Sequence, residues 1–274
     1  MCHLNRKYEV ITLFEVFIYH SSSKMDKLML PCEVNVTGTI QPDADIDGCI
    51  LVTESIDVIP NALQEMKDAI AKQKTFDAAV GKEVTFIAVP TASPGDSKVV
   101  FSPGYSKVVF SPTGPTNRDY DDHRNFADAA GAGIKRAIVA GMRKPLLIVC
   151  PSPDYPNAML AAALGALHAA YVPFEIREDV PSRRNKLSSL TIYSDGASSD
   201  LARYIHGIES GRLVARDIGG SDPERMAAPK VAAYMEKLFA GSPFIKVNIS
   251  ISHHKLSCSC IKQSLHEQNI QNQC

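Results

Sequence analysis

Apolar and polar positions along the middle of the chain switch repeatedly between a period near two and a period near 3.6, which predicts strands and helices in turn. Gly48–Val52 (GCILV) is a short apolar run behind the turn-like Asp43–Asp47 and predicts a buried strand. Asn61–Lys74 follows Pro60 and sets Leu63, Met66 and Ile70 at helical spacing, with Asn61 the expected N-cap. Val84–Val89, closed by Pro90, predicts a second strand. Over Asp119–Gly141 a helix is expected: Phe126, Ala130, Ile134 and Ala137 share a face, with Asp121 and Asp122 early and Lys135 and Arg136 late, as the helix dipole favours. Lys144–Cys150 reads as a strand, and Asn157–Tyr171 as a helix apolar nearly all round and therefore buried on several sides. Leu187–Tyr193 predicts another strand. Asp200–Asp217 predicts an amphipathic helix with Leu201, Tyr204, Ile205, Ile208 and Leu213 apolar. Such alternation predicts an α/β fold, a three-layer sandwich with a mostly parallel sheet.

The two ends break this pattern. Val10–Tyr19 is apolar but interrupted by Glu15, and falls short of the roughly 20 residues that cross a bilayer. Arg6 and Lys7 imitate the basic start of a signal peptide, yet His20–Lys24 offers no small-x-small cleavage site, so the segment reads as a β-prone extension ahead of a second candidate start at Met25. Ser250–Cys274 sustains no period and finishes in an Asn/Gln-rich run, as a disordered or foreign tail would. Inside the domain, Ser97–Pro103 (SKVVFSP) recurs as Ser106–Pro112. One copy can pair as a strand; the other must bulge, form an extra hairpin arm or loop out, and two copies are too few for a solenoid.

Composition narrows the function classes. With 45% hydrophobic and 22% charged residues among 274, the chain is an ordinary globular one. A net charge of −1 provides no basic excess for phosphate neutralisation, so no nucleic-acid partner is expected, and no membrane partner either. Seven cysteines, with Cys258, Cys260 and Cys274 crowded at the end, do not form a disulfide framework, and a reducing, cytoplasmic setting is expected.

Candidate chemistry is sparse. Gly131-Ala-Gly133 lies inside a helical pattern, where it serves close packing and cannot present amides to a pyrophosphate. His253, His254, Cys258 and Cys260 carry zinc-type donors at a spacing that matches no finger. His168 reads as a neutral, hydrogen-bonded core histidine. Asp119, Asp121, Asp122 and His123 read as a solvated helix N-terminus, with cation binding the alternative. No residue is assigned as catalytic, cofactor-binding or metal-binding.

The most informative stretch is Gly211-Arg-Leu-Val-Ala-Arg-Asp-Ile-Gly-Gly-Ser-Asp-Pro-Glu-Arg-Met-Ala-Ala-Pro229, followed by a helical Lys230–Ala240. It resembles the segment leading into the catalytic domain of the leucyl aminopeptidase (cytosol aminopeptidase) family: a helix ending in Arg216-Asp217, a turn with Pro223, and a further helix opening near Pro229. The likeness runs from about Met25 to Asn248 and includes Tyr171-Val-Pro-Phe-Glu-Ile-Arg177. Gly219-Gly220 stand where the family has an Asn, and Pro223 comes one residue late, as in a divergent branch.

The resemblance implies a macro-domain-like N-terminal domain at 25–210 and a linker helix at 211–248. An N-terminal extension at 1–24 and an unrelated tail at 249–274 flank them. In the family, two divalent metals, typically zinc or manganese, are held in a C-terminal domain by motifs such as Gly-Lys-Gly-x-Thr-Phe-Asp and Asn-Thr-Asp-Ala-Glu-Gly-Arg, neither of which occurs here. The chain therefore reads as a truncated member without a catalytic domain, inactive alone, with no cofactor of its own. The expected partners are copies of itself or full-length aminopeptidase subunits, in the manner of the family's hexamer. The alternatives are a macro-like module binding ADP-ribose-type ligands between loops Pro90–Gly95 and Pro151–Asn157, and a regulatory subunit of a full-length aminopeptidase.

Overall fold

A computed structural model describes residues 8–11, 30–40, 45–88, 107–150, 152–195, 199–240, 242 and 245–252. In chain order its elements begin with β1 (Tyr8–Ile11), β2 (Glu33–Thr37), β3 (Gly48–Thr53), α1 (Gln64–Phe76), β4 (Thr85–Ala88), β5 (Lys107–Pro112) and α2 (Arg124–Val139). They continue with β6 (Pro145–Val149), α3 (Ala158–Ala170), α4 (Phe174–Asp179), β7 (Ser189–Tyr193), α5 (Ser199–Gly220), α6 (Ala228–Phe239) and β8 (Ile249–Ser252). Two compact units result: Asp26–Ser221, and a second that joins Met1–Met25 to Asp222–Cys274.

The larger unit is built on a six-stranded sheet in the order β2-β7-β6-β3-β5-β4, parallel throughout except for the antiparallel edge strand β4. Strands β3 and β6 are buried along their whole length, as near-continuous apolar runs covered on both faces should be. On one face Ile50, Val52, Val109, Leu147, Val149, Leu190 and Ile192 meet α2, α3 and Ile205 of α5. On the other, Cys49, Leu51, Val108, Phe110, Leu146 and Ile148 meet Leu63, Met66 and Ile70 of α1 and the turn before it. The three-layer α/β sandwich expected from the alternation is present. Phe110 and Phe126 are fully buried, and each contributes about 2–3 kcal/mol relative to exposure. Strand β5 is the second copy of the tandem repeat, with Val108–Ser111 buried; the first copy lies outside the described residues.

Helices α2 and α3 approach closely because small residues line their contact. The backbone carbonyl of Ala127 sits where a side chain on Gly165 would have to go, 2.1 Å from an ideal Cβ. Gly133 is pressed against Ile50, whose Cγ2 would stand 2.7 Å from an added Cβ. The Gly131–Gly133 pair thus serves packing, as its place in a helix implies. Helix α2 ends on Gly141 in the left-handed region (φ 82°), with the Met142 N–H donating back to the Ala137 carbonyl at 3.0 Å and Met142 buried beside it.

Several sequence expectations are corrected. Asn61 opens a short 3-10 turn (Asn61–Leu63) and caps nothing with its side chain; α1 starts at Gln64. The second helix begins at Arg124 rather than Asp119: Asp121 reaches back to accept from the Arg118 N–H in the preceding turn, and Asp122 accepts from the Arg124 N–H at the helix start. Tyr204 and Ile208, expected on the apolar face of α5, are 55% and 39% exposed. The division drawn at residue 210 falls within the single helix α5, and the unit boundary comes after Ser221.

In the smaller unit, β1 pairs antiparallel with β8, from Tyr8 opposite Ser252 to Ile11 opposite Ile249. The start of the supposed tail is thus a strand paired with the N-terminal extension. Helix α6 carries Pro229 in its first turn, where a missing N–H costs nothing, and buries Ala232. Among the described residues no helix is long and apolar enough to cross a membrane.

Candidate functional site

Helix α5 carries Glu209, Arg212 and Arg216 at i, i+3 and i+7, a spacing that stacks them on one face. That face turns toward α3 and α4. Glu209, fully buried, is ion-paired with Arg216, and Arg212 lies 3.3 Å from its second oxygen. One residue on, Asp217, also fully buried, is ion-paired with Arg177 of α4 and accepts a 2.9 Å hydrogen bond from the Tyr171 hydroxyl. Arg177 further donates through Nε to the Val172 carbonyl at 3.0 Å. The adjacent Arg216 and Asp217 therefore clasp Tyr171 from two sides: the Arg216 guanidinium lies 4.6 Å over its ring while Asp217 holds its hydroxyl.

The electrostatics follow from burial. Loss of water pushes the Tyr171 phenol up to about 12, with Asp217 adding to the effect. Burial also raises Glu209 above the usual carboxylate range, more than Arg216 and Arg212 lower it. Arg216 donates through Nη1 to His168 Nδ1 at 2.8 Å; since a guanidinium only donates, Nδ1 accepts and the imidazole is neutral with its proton on Nε2. Partial burial and then the Arg216 cation lower its pKa. His168 is thus neutral and hydrogen-bonded as expected, but it lies on the exposed side of α3, not in the core. Lys186 caps the end of α3, donating to the carbonyls of Ala169 at 3.2 Å and Tyr171 at 2.7 Å. The sequence singled out Arg216-Asp217 and the segment Tyr171–Arg177, without their pairing, but not Glu209; the i, i+3, i+7 charges on α5 were the available signal.

The other candidates resolve as structure. Asp121 accepts from the Arg118 guanidinium and backbone and from Asn125, and the Arg118 bond holds its carboxyl far below the usual range. Asp122 accepts from the backbone and side chain of Arg124, both at 2.7 Å. His123 stands edge-on to Tyr155, whose hydroxyl donates to the Thr116 carbonyl at 2.8 Å. Burial, and then the nearby carboxylates Asp121, Asp154, Asp122 and Glu54, raise the Tyr155 phenol. Residues 89–106 and Pro151 of the two crevice loops, and His253, His254, Cys258 and Cys260, lie outside the described residues. Burial pushes the Cys32 thiol up to about 12, which favours the protonated form at neutral pH.

Two divalent metals do not fit this donor set. Among the described residues no three His, Cys, Asp or Glu side chains are arranged so that they could hold a metal ion. The two fully buried carboxylates, Glu209 and Asp217, each face a guanidinium.

No protein-family model matches the chain. A 138-residue stretch, half of the chain, is 42% identical to the Caenorhabditis elegans protein named "Putative aminopeptidase W07G4.4", of which it spans about a quarter (26%). Among solved structures, a tomato leucine aminopeptidase mutant matches over 76% of this chain and 42% of its own, with a TM-score of 0.52 at 13% identity. The leucyl aminopeptidase of Trypanosoma cruzi matches over 78% and 42%, again at 0.52 and 13%. In fold the chain is similar to the leucyl aminopeptidases. What it shares with the leucyl aminopeptidases of known structure is the α/β fold, and it spans less than half of their length.

Proposed function

We propose that the chain performs the non-catalytic work of a leucyl aminopeptidase N-terminal domain: it supplies a folded α/β unit for assembly with aminopeptidase subunits and does not itself release N-terminal amino acids. The observation that carries this reading is a mismatch. The chain has the fold of the leucyl aminopeptidases and is 42% identical to an aminopeptidase-named relative over half its length, yet contains neither metal-binding motif of the family, and its two fully buried carboxylates are paired with arginines. A paired-metal hydrolase needs two cations about 3.5–4 Å apart to clamp the attacking and leaving oxygens. Buried free thiols at Cys32, Cys49 and Cys150 suit a reducing, cytoplasmic setting.

The purified chain supplied with manganese or zinc is expected to leave a leucine anilide intact; turnover clearly above a metal-free blank overturns the inactivity. Mixed with a full-length leucyl aminopeptidase, it is expected to elute with the larger species on size exclusion. Elution as a monomer under the same conditions overturns the assembly role and leaves the inactivity standing.

A further inference from the structure

We infer that the second half of α5, Gly211–Gly220, is a charge-held latch that undocks as a unit while the rest of the Asp26–Ser221 domain stays folded. The two halves of this helix are secured differently. The first places Ile205, fully buried, and Leu201 in the main core against the sheet. The second buries a single apolar side chain, Leu213, which belongs to neither core cluster. Its other buried anchor is the Asp217 carboxylate, ion-paired with Arg177 and hydrogen-bonded to Tyr171. Arg216, 19% exposed at its side chain, ties it back to Glu209 in the first half and to His168 on α3.

Packing around this half is loose. A cleft of about 200 Å³ opens beside Leu213, Tyr171 and Arg177, and a shallow depression of about 440 Å³ beside Ala215, Arg216, Gly219 and Gly220. Three glycines, Gly211, Gly219 and Gly220, weaken the helix itself, and an added Cβ on any of them would meet nothing within 4 Å. Helical order in this segment therefore depends on directional polar contacts made to α3, α4 and the Tyr171 clasp. A segment with few buried apolar contacts is where local opening occurs. Contacts that are lost together, because Arg216 and Asp217 are adjacent and share Tyr171, make the opening all-or-none.

The inference concerns the fold alone and stands whether or not the chain assembles with an aminopeptidase. Hydrogen exchange read by mass spectrometry on the full chain tests it. In the wild type, amides of residues 212–220 are expected to exchange at least about tenfold faster than those of 201–208, within one continuous helix. In Asp217→Asn and, more mildly, Tyr171→Phe, exchange over 212–220 rises further. Uniform protection along α5 in the wild type overturns the latch. So does exchange over 212–220 that steepens with urea as much as exchange over α2 and α3, since the segment would then open only with the whole domain.

Discussion

Helix α3 meets one neighbour through glycines and another through charges. Against α2 the contact is dry and steric: Gly165 leaves no room for a methyl group, and the alanines around it are fully buried. Against the second half of α5 the contact is polar: Arg212 donates to the Leu164 carbonyl and Arg216 to His168, with Arg216 also held by Glu209 of its own helix, beside two unfilled spaces. The first kind of contact tolerates almost no change in shape but is indifferent to protonation. The second tolerates changes in shape and depends on every partner keeping its charge, because a buried ion left unpaired loses its compensation for desolvation.

The sharpest way to break this contrast is Gly165→Ala. Its Cβ would stand 2.1 Å from the Ala127 carbonyl oxygen, so α2 and α3 must separate. A loss of about 3 kcal/mol in urea unfolding is expected, despite the better helix propensity of Ala. Gly131, whose added Cβ would find the Gly165 carbonyl at 3.4 Å, is the matched control. If Gly165→Ala and Gly131→Ala cost the same, steric closeness is not what governs this interface.

Next in size is Asp217→Asn, which keeps the shape and strands Arg177. It is expected to cost about 2 kcal/mol in global unfolding, below the usual toll of breaking a buried pair, because the helix end can undock instead of bearing the whole penalty. Gly211→Ala works the other way. It adds a methyl into open space inside α5 and is expected to stabilise by about 0.5–1 kcal/mol, visible as slower exchange over 212–220.

The smallest effect is the pH dependence at His168. Its neighbours are the Arg216, Arg212, Lys135 and Lys186 cations, with Glu209 beyond Arg216. Its folded pKa lies below the unfolded value of about 6.5, so the native state prefers the neutral ring. The stability it adds is complete above that value and is lost as the pH falls below it through the folded pKa. Glu209 runs opposite: its raised pKa means that protonation on acidification favours the folded state. The thermal midpoint of the wild type minus that of His168→Gln is therefore expected to decline between pH 7 and 5. A flat difference would show that the Arg216 contact does not depend on the charge of the ring.

Much of the architecture was legible in the amino-acid pattern. The runs at Gly48–Val52 and Lys144–Cys150 had to be strands covered on both faces, since so many consecutive apolar residues leave no side for water, and both lie at the centre of the sheet. The Ala-rich Asn157–Tyr171 had to be buried broadly, and seven of its residues are. Helix starts were less legible. Asp121 and Asp122 looked like first-turn carboxylates, but Arg118 and Arg124 draw them into a turn before the helix, a competition between side-chain partners that spacing does not encode. The Arg216-Asp217 pair was visible as a motif, while its purpose was not, because Tyr171 and Arg177 lie some 40 residues away in the chain.

By itself the amino-acid sequence determined the alternation of elements, the parallel sheet buried on both sides, the likeness to leucyl aminopeptidases, and the lack of that family's metal motifs. Each of these depends on local periodicity or on contiguous residues, which a linear string records in full. Only the tertiary structure decided that β1 pairs with β8, that the second tandem copy forms the strand beside β3, and that Glu209 and Asp217 are buried against arginines. These turn on which distant groups share a dehydrated space, and the strength of a charge there is set by its surroundings in three dimensions.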